Sequence, residues 1–331
     1  MSALLQPLRS WLFDPAPLHS LVLLRIGLGS VLFLDYLFRW PLVDKLYGPD
    51  GYAGYGYFER FPESGSVGWP LVSGFDYLQH VPSEAAIWAL YLALLVSSLG
   101  FALGVWPRVT GTLALVLHVL FLSRNPGASW GWGTMIKPFM LYAILASTGR
   151  QASALVWLRR RLGAVIPEAP WRAGAWPLRL VQVHAACVFL VFWSRIDEGS
   201  WLSGQMLPVA LVGREFARFE FDWFPLFGVL EVLGIAALVL ELAAPLALWI
   251  KPIGKYWALA LMGMFWILIV ATAVGWWDFM MIFVLTAFLP EAWLAPIIGP
   301  RRVSPRRALG WLRRPRGAAG LLSSAHASRR P

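Results

Sequence analysis

The chain has 331 residues, 58% of them hydrophobic and only 14% charged, a balance that excludes an ordinary soluble domain and a disordered chain. A single cysteine, Cys187 in the apolar setting VHAACVFLVF, excludes an internal disulfide and every multi-cysteine metal pattern. The formal charge of +10 sits mainly in two arginine-rich stretches, so it describes where the chain is basic rather than what it binds.

Residues 1–17 (MSALLQPLRSWLFDPAP) carry Asp14 and three prolines and lack the compact basic, apolar and small-residue order of a cleavable signal. They are expected to form a short cytoplasmic segment ahead of an uncleaved first helix. Apolar stretches long enough for membrane helices follow at about 18–38, 84–103, 109–122 and 134–148. After a basic interruption they resume near 180–194, 228–250, 256–274 and 277–290. The third, fourth, fifth and eighth are short for a hydrocarbon core of roughly 30 Å, which suggests broken spans or spans extended into the interface.

Segment 149–179 has six arginines and one glutamate, and 299–331 has nine arginines and no acid, so the positive-inside rule puts both on the cytoplasmic side. The turns at Arg108 and at Lys251/Lys255 then also fall inside, whereas the acid-rich 39–83 loop and the 195–227 loop fall outside. The expected fold is an all-α polytopic helical bundle of about eight transmembrane helices with both termini cytoplasmic, in a bacterial inner membrane. It divides into residues 1–17, a membrane domain over 18–293 and a basic tail over 294–331. The tail has no recognition-fold pattern, and topology anchoring or lipid contact accounts for its charge without nucleic acid. The outer 39–83 loop, dense in Gly, Pro and aromatics, is expected to lie on the membrane surface, as a structural lid or as one that shapes a substrate entrance.

Ionisable residues inside apolar helices are costly and normally face a bundle interior or a polar cavity. Arg25, His118, Lys137, His184, Glu231 and Glu241 therefore form the candidate internal polar site. Arg25 and Glu241 lie roughly 10 and 13 Å from the inner ends of their expected spans, which permits an internal ion pair that either fixes packing or handles substrate or protons. Lys137, Glu231, Asp35 and Asp278 are expected within about one turn of their outer ends, where a lysine either snorkels to the interface or, desolvated, serves as a base. His118 and His184 either are buried neutral histidines or transfer protons. With no HExxH motif or Cys/His array, no metal site is expected. No dinucleotide fingerprint, Walker loop or nucleophile elbow is present either, so the sequence specifies no cofactor.

The stretches LHSLVLLRIGLGSVLFLDYLFRW with KLYGPDG, VQVHAACVFLVFWSRIDEGSWLSGQ with Trp201 and Gly204, and ELAAPLALW occur in an order that resembles the HTTM family. That family is the membrane domain related to vitamin K-dependent gamma-carboxylase, and the resemblance covers about residues 10–293. In carboxylase relatives reduced vitamin K is oxygenated and a membrane-domain lysine acts as base for carboxylation of peptide glutamates. Here WSRIDEGSW places Arg195 at the corresponding position, and Trp266 follows Phe265 where relatives often carry histidine. A guanidinium is a poor general base, so the resemblance implies the scaffold without faithful carboxylase activity. It implies an outward-facing site for a quinone, lipid or peptide, with Arg195, Asp197 and Trp201 as candidate substrate-binding residues. The leading expectation is a divergent quinone- or lipid-linked oxidoreductase or modifying enzyme. The competing one is a non-enzymatic, immunity or structural protein that organises a membrane protein partner in the lipid bilayer.

Overall fold

A computed structural model describes residues 2–52, 78, 81, 83–146, 148–195, 199–212, 216–273 and 275–299. Nearly all the regular structure in them is helical. In chain order α1 is Ser2–Phe13, α2 His19–Arg39, α3 Val43–Tyr47, α4 Glu84–Ala102, α5 Pro107–Arg124, α6 Trp130–Leu145 and α7 Ala154–Arg161. They are followed by α8 Trp176–Leu190, α9 Gly199–Leu202, α10 Met206–Val212, α11 Phe227–Ala247, α12 Ile253–Ala271, α13 Trp277–Leu285 and α14 Glu291–Ile298. A two-stranded clasp with three residues in each strand, β1 Pro15–Pro17 antiparallel to β2 Arg172–Gly174, ties the N-terminal segment to the basic stretch.

Each of the eight expected apolar stretches is occupied by a helix. Four helical stretches among the described residues, His19–Tyr47, Glu84–Ala102, Phe224–Ala247 and Ile253–Ala271, are long and apolar enough to cross a membrane. The boundaries follow local chemistry. Ser83 accepts from the Ala86 N–H at 3.3 Å and Ser153 from the Val156 N–H at 3.4 Å, which caps α4 and α7. Pro107 and Pro177 occupy first-turn positions of α5 and α8, where a missing N–H costs nothing. Pro138 lies inside α6, which nevertheless continues to Leu145. The sequence places the start of that helix four residues late, because its first turn, Trp-Gly-Trp-Gly, does not look like a helix start.

The bundle is built around α2, which touches α4, α6 and α13. Within its candidate span 61% of the residues are buried, against 17% for the span containing α11, so α2 is the interior helix and α11 a peripheral one. Two glycines of α2 permit this centrality. A Cβ on Gly29 would lie 2.7 Å from the backbone N of Ala102 in α4, and one on Gly27 would lie 2.1 Å from the Phe283 ring of α13. Small residues at such crossings let helices approach closely where no hydrophobic drive separates helix from lipid. The outward faces are apolar, with Val96, Val232, Leu246 and Ile267 exposed.

The N-terminal segment is docked on the bundle, since α1 packs on α8 and β1 pairs with β2. Residues 293 and 294 both lie within α14, whose Leu294 is buried.

Candidate functional site

The buried ionisable groups fall into two sets, those with partners and those without. At the Arg-rich end, Arg25 of α2 is fully buried and donates to three backbone carbonyls of the loop after α6: Thr148 at 2.5 Å, Gln151 at 3.2 Å and Ala152 at 2.9 Å. Gly104, in the left-handed conformation, lies against the same guanidinium; a Cβ there would be 2.9 Å from Nη2. Ser153 Oγ donates to the Gly104 carbonyl at 2.7 Å, which joins the α4–α5 turn to this loop. The expected pairing of Arg25 with Glu241 is therefore replaced: the two Nη groups of the guanidinium bond the backbone loop after α6. Sequence depth alone misses this because loop carbonyls leave no residue-type signature.

At the opposite end a second network joins α2 to α3, α4, α5 and α6. Arg39 donates to Asp35 at 2.6 Å, to Tyr47 Oη at 3.1 Å and to Ser129 Oγ at 3.0 Å. His118 is fully buried between Tyr36 Oη, 3.0 Å from Nδ1, and the Gly133 carbonyl, 2.8 Å from Nε2. A carbonyl only accepts, so Nε2 carries the hydrogen and Nδ1 accepts from Tyr36. The Tyr91 hydroxyl donates to the Tyr36 carbonyl, and Arg124 donates to the Gly48 carbonyl at 2.8 Å. Around these polar atoms the rings of Tyr36, Tyr47, Tyr91 and Phe121 form one edge-to-face cluster. Two buried atoms of the networks, Arg25 Nε and Asp35 Oδ2, make no hydrogen bond among the described residues. His118 is thus buried with a partner at each ring nitrogen.

Lys137 of α6, Glu231 and Glu241 of α11, and Asp278 of α13 form the second set. Among the described residues none of these four side chains makes a hydrogen bond or salt bridge. Glu241 and Asp278 are buried and close enough for their charges to interact, and Lys137, half-buried, is within electrostatic reach of His118. Among the described residues His184 of α8 is bound on one side only, with Nδ1 3.2 Å from Tyr142 Oη and its ring against Phe139. All these residues lie on α6, α8, α11 and α13, helices that pack on one another around α8. At 1.5 Å per residue, Lys137, His184 and Glu241 lie roughly 9–12 Å from the ends of their helices nearer the Arg-rich segment, a common depth. Lys137 is also two turns inside α6 rather than one, because the helix begins at Trp130.

Of the expected substrate-binding group, Arg195 ends a 3-10 turn after α8, Trp201 is half-buried on α9, and Asp197 lies outside the described residues. The Trp201–Gly204 loop docks on α11 through Gly204, whose φ is +75° and whose added Cβ would meet the Glu231 carbonyl at 2.3 Å. No group of three or more His, Cys, Asp or Glu side chains suited to a metal comes together among the described residues. What the unpaired set offers chemically is a hydrogen-bond donor, a half-bound imidazole and a carboxyl pair, groups that orient a carbonyl or phosphate oxygen and exchange protons. No protein-family model, curated protein or solved structure matches the chain.

Proposed function

We propose that this is an eight-span protein of a bacterial inner membrane, with both termini cytoplasmic, an HTTM-like scaffold, and a site for a quinone or lipid headgroup between α6, α8, α11 and α13. The observation that carries the reading is the division of the charges. The buried charges Arg25 and Asp35 of α2 and Arg124 of α5 are bonded, whereas Lys137, Glu241 and Asp278 have no partner among the described residues. An unpaired ionisable group in a membrane helix is destabilising, and its retention is explained when a ligand or a proton pathway completes it. Lys137 and His184 would orient a carbonyl or phosphate oxygen, and Glu241 with Asp278 would exchange the protons that accompany the chemistry. These are the parts of a quinone- or lipid-modifying reaction that this chain supplies.

The test is mass spectrometry of small molecules that remain bound to the protein purified in lipid nanodiscs. A quinone or lipid retained stoichiometrically by the wild type and lost from Lys137→Met and Glu241→Gln supports the site. Identical profiles in all three would sink it. Topology is tested separately on Cys187→Ser protein carrying one new cysteine. An impermeant maleimide added from outside should label Tyr52→Cys, and Leu162→Cys only after the membrane is opened, since both positions are well exposed.

A further inference from the structure

A cavity of about 820 Å³ lies at the Arg-rich end, between the α4–α5 turn, the loop after α6, and α7. Four arginines line it, Arg108, Arg150, Arg159 and Arg172, and no acidic residue does. Two of them are engaged elsewhere: Arg150 donates to the Pro167 carbonyl at 3.0 Å, and Arg172 pairs with Glu291 at 3.2 Å. Arg108 and Arg159 are exposed and make no hydrogen bond or salt bridge among the described residues. The second large cavity, about 770 Å³ beside Trp249, contains Glu291 among its basic residues and lacks this single-sign character.

The rim of the first cavity is apolar. Trp106 and Val109, at the start of α5, are 65% and 64% exposed, and the adjoining helix α7 leaves Trp157 and Leu158 exposed as well. A basic basin bordered by exposed aromatic and aliphatic side chains matches a ligand with an anionic head and hydrocarbon chains, because each half of such a ligand meets its own kind of surface. The volume lies in the range of small-molecule sites. Backbone strain is concentrated here too. The two non-glycine residues with positive φ among the described residues are Trp106 at 45°, which lines the cavity, and Ala152 at 44°, between the lining residues Gln151 and Ser153. Such conformations persist only where surroundings over-determine them, and they gather at ligand clamps. Arg25 supplies that constraint from beneath by holding the Ala152 carbonyl.

We propose that this cavity binds the phosphate-bearing headgroup of one anionic phospholipid, with Arg108 and Arg159 as the phosphate ligands and Trp106 and Val109 against its acyl chains. The site rests on the membrane reading but is independent of the ligand proposed beside Lys137. Integration in the membrane is assayed separately by resistance to alkaline extraction, so failure of either idea is distinguishable.

The experiment is native mass spectrometry of delipidated protein titrated with phosphatidylglycerol, phosphatidylcholine or soluble glycerol phosphate. Wild type is expected to hold one phosphatidylglycerol in preference to phosphatidylcholine, and glycerol phosphate alone is expected not to displace it. The pair Arg108→Gln/Arg159→Gln should weaken phosphatidylglycerol by about tenfold or more, the scale of lost charge-assisted bonds. The pair Arg160→Gln/Arg161→Gln removes the same charge from α7 outside the cavity lining and should change affinity by no more than about twofold. Equal weakening by both pairs would reduce the effect to surface charge and overturn the site. Equal retention of phosphatidylcholine, or displacement by glycerol phosphate, would overturn the lipid assignment.

Discussion

Replacing Arg25 by Met keeps an unbranched apolar stem and removes the guanidinium that binds the Thr148, Gln151 and Ala152 carbonyls. Thr148 and Gln151 are buried whereas Ala152 is exposed, so water restores one of the three acceptors and two are left unsatisfied. At about 1–3 kcal/mol for each orphaned acceptor, the loss is roughly 2–6 kcal/mol, and relaxation of the loop holds it near 3–5 kcal/mol. The structure adds a second constraint through Gly104, whose added Cβ would approach the guanidinium to 2.9 Å at a φ of +69°. Gly104→Ala should therefore cost about 1–2 kcal/mol for the left-handed backbone plus an increment for displacing Arg25. In the Arg25→Met background that increment disappears, so the two substitutions together should be milder than their sum by about 1 kcal/mol. Denaturant-induced unfolding of the four proteins in one detergent measures all these quantities. An Arg25→Met protein within about 0.5 kcal/mol of wild type would refute the view that this arginine holds the loop.

Other consequences are equally direct. Tyr36→Phe leaves His118 Nδ1 buried without its donor and should destabilise by about 1–3 kcal/mol in the same unfolding assay. Gly29→Leu places atoms against the Ala102 backbone and should cost about 3 kcal/mol or more, whereas Gly263→Leu, with nothing within 4 Å of its added Cβ, should change stability by less than about 0.5 kcal/mol. Lys137→Met removes a half-buried amine that has no partner among the described residues, so the apo protein should be unchanged or more stable by up to about 2 kcal/mol. A marked loss of stability in that variant would mean that the lysine has a structural partner.

Helix positions were legible because apolar length is written in residue types: the expected 18–38 and 84–103 stretches differ from α2 and α4 by at most one residue at either end. Where the apolar signal was diluted, as in the Trp-Gly-Trp-Gly start of α6, the prediction slipped by a turn and misjudged the depth of Lys137. The Arg25 and Glu241 pairing failed for a different reason. Opposite charges at equal depth are a necessary condition for a bond, but the competing acceptors were main-chain carbonyls, which every residue possesses and no sequence pattern advertises. Arg39 was readable in principle, since it stands four residues after Asp35 on one helical face. Its reach to Tyr47 and Ser129 depended on tertiary packing.

The central position of α2 also sets the order in which the protein is assembled. Its walls are supplied by segments made much later, since Ser20 donates to the Thr286 carbonyl across 266 residues of chain and Gly27 abuts Phe283 of α13. At translation rates of about 5–20 residues per second, the helix that begins the bundle waits roughly 13–50 s for the one that closes it. Until then α2 can rest on α4 and α6, while the face that carries Gly27 stays open to lipid or to an insertion chaperone. A substitution on that face would accordingly be felt first as poor yield in living cells, before any defect in the finished protein.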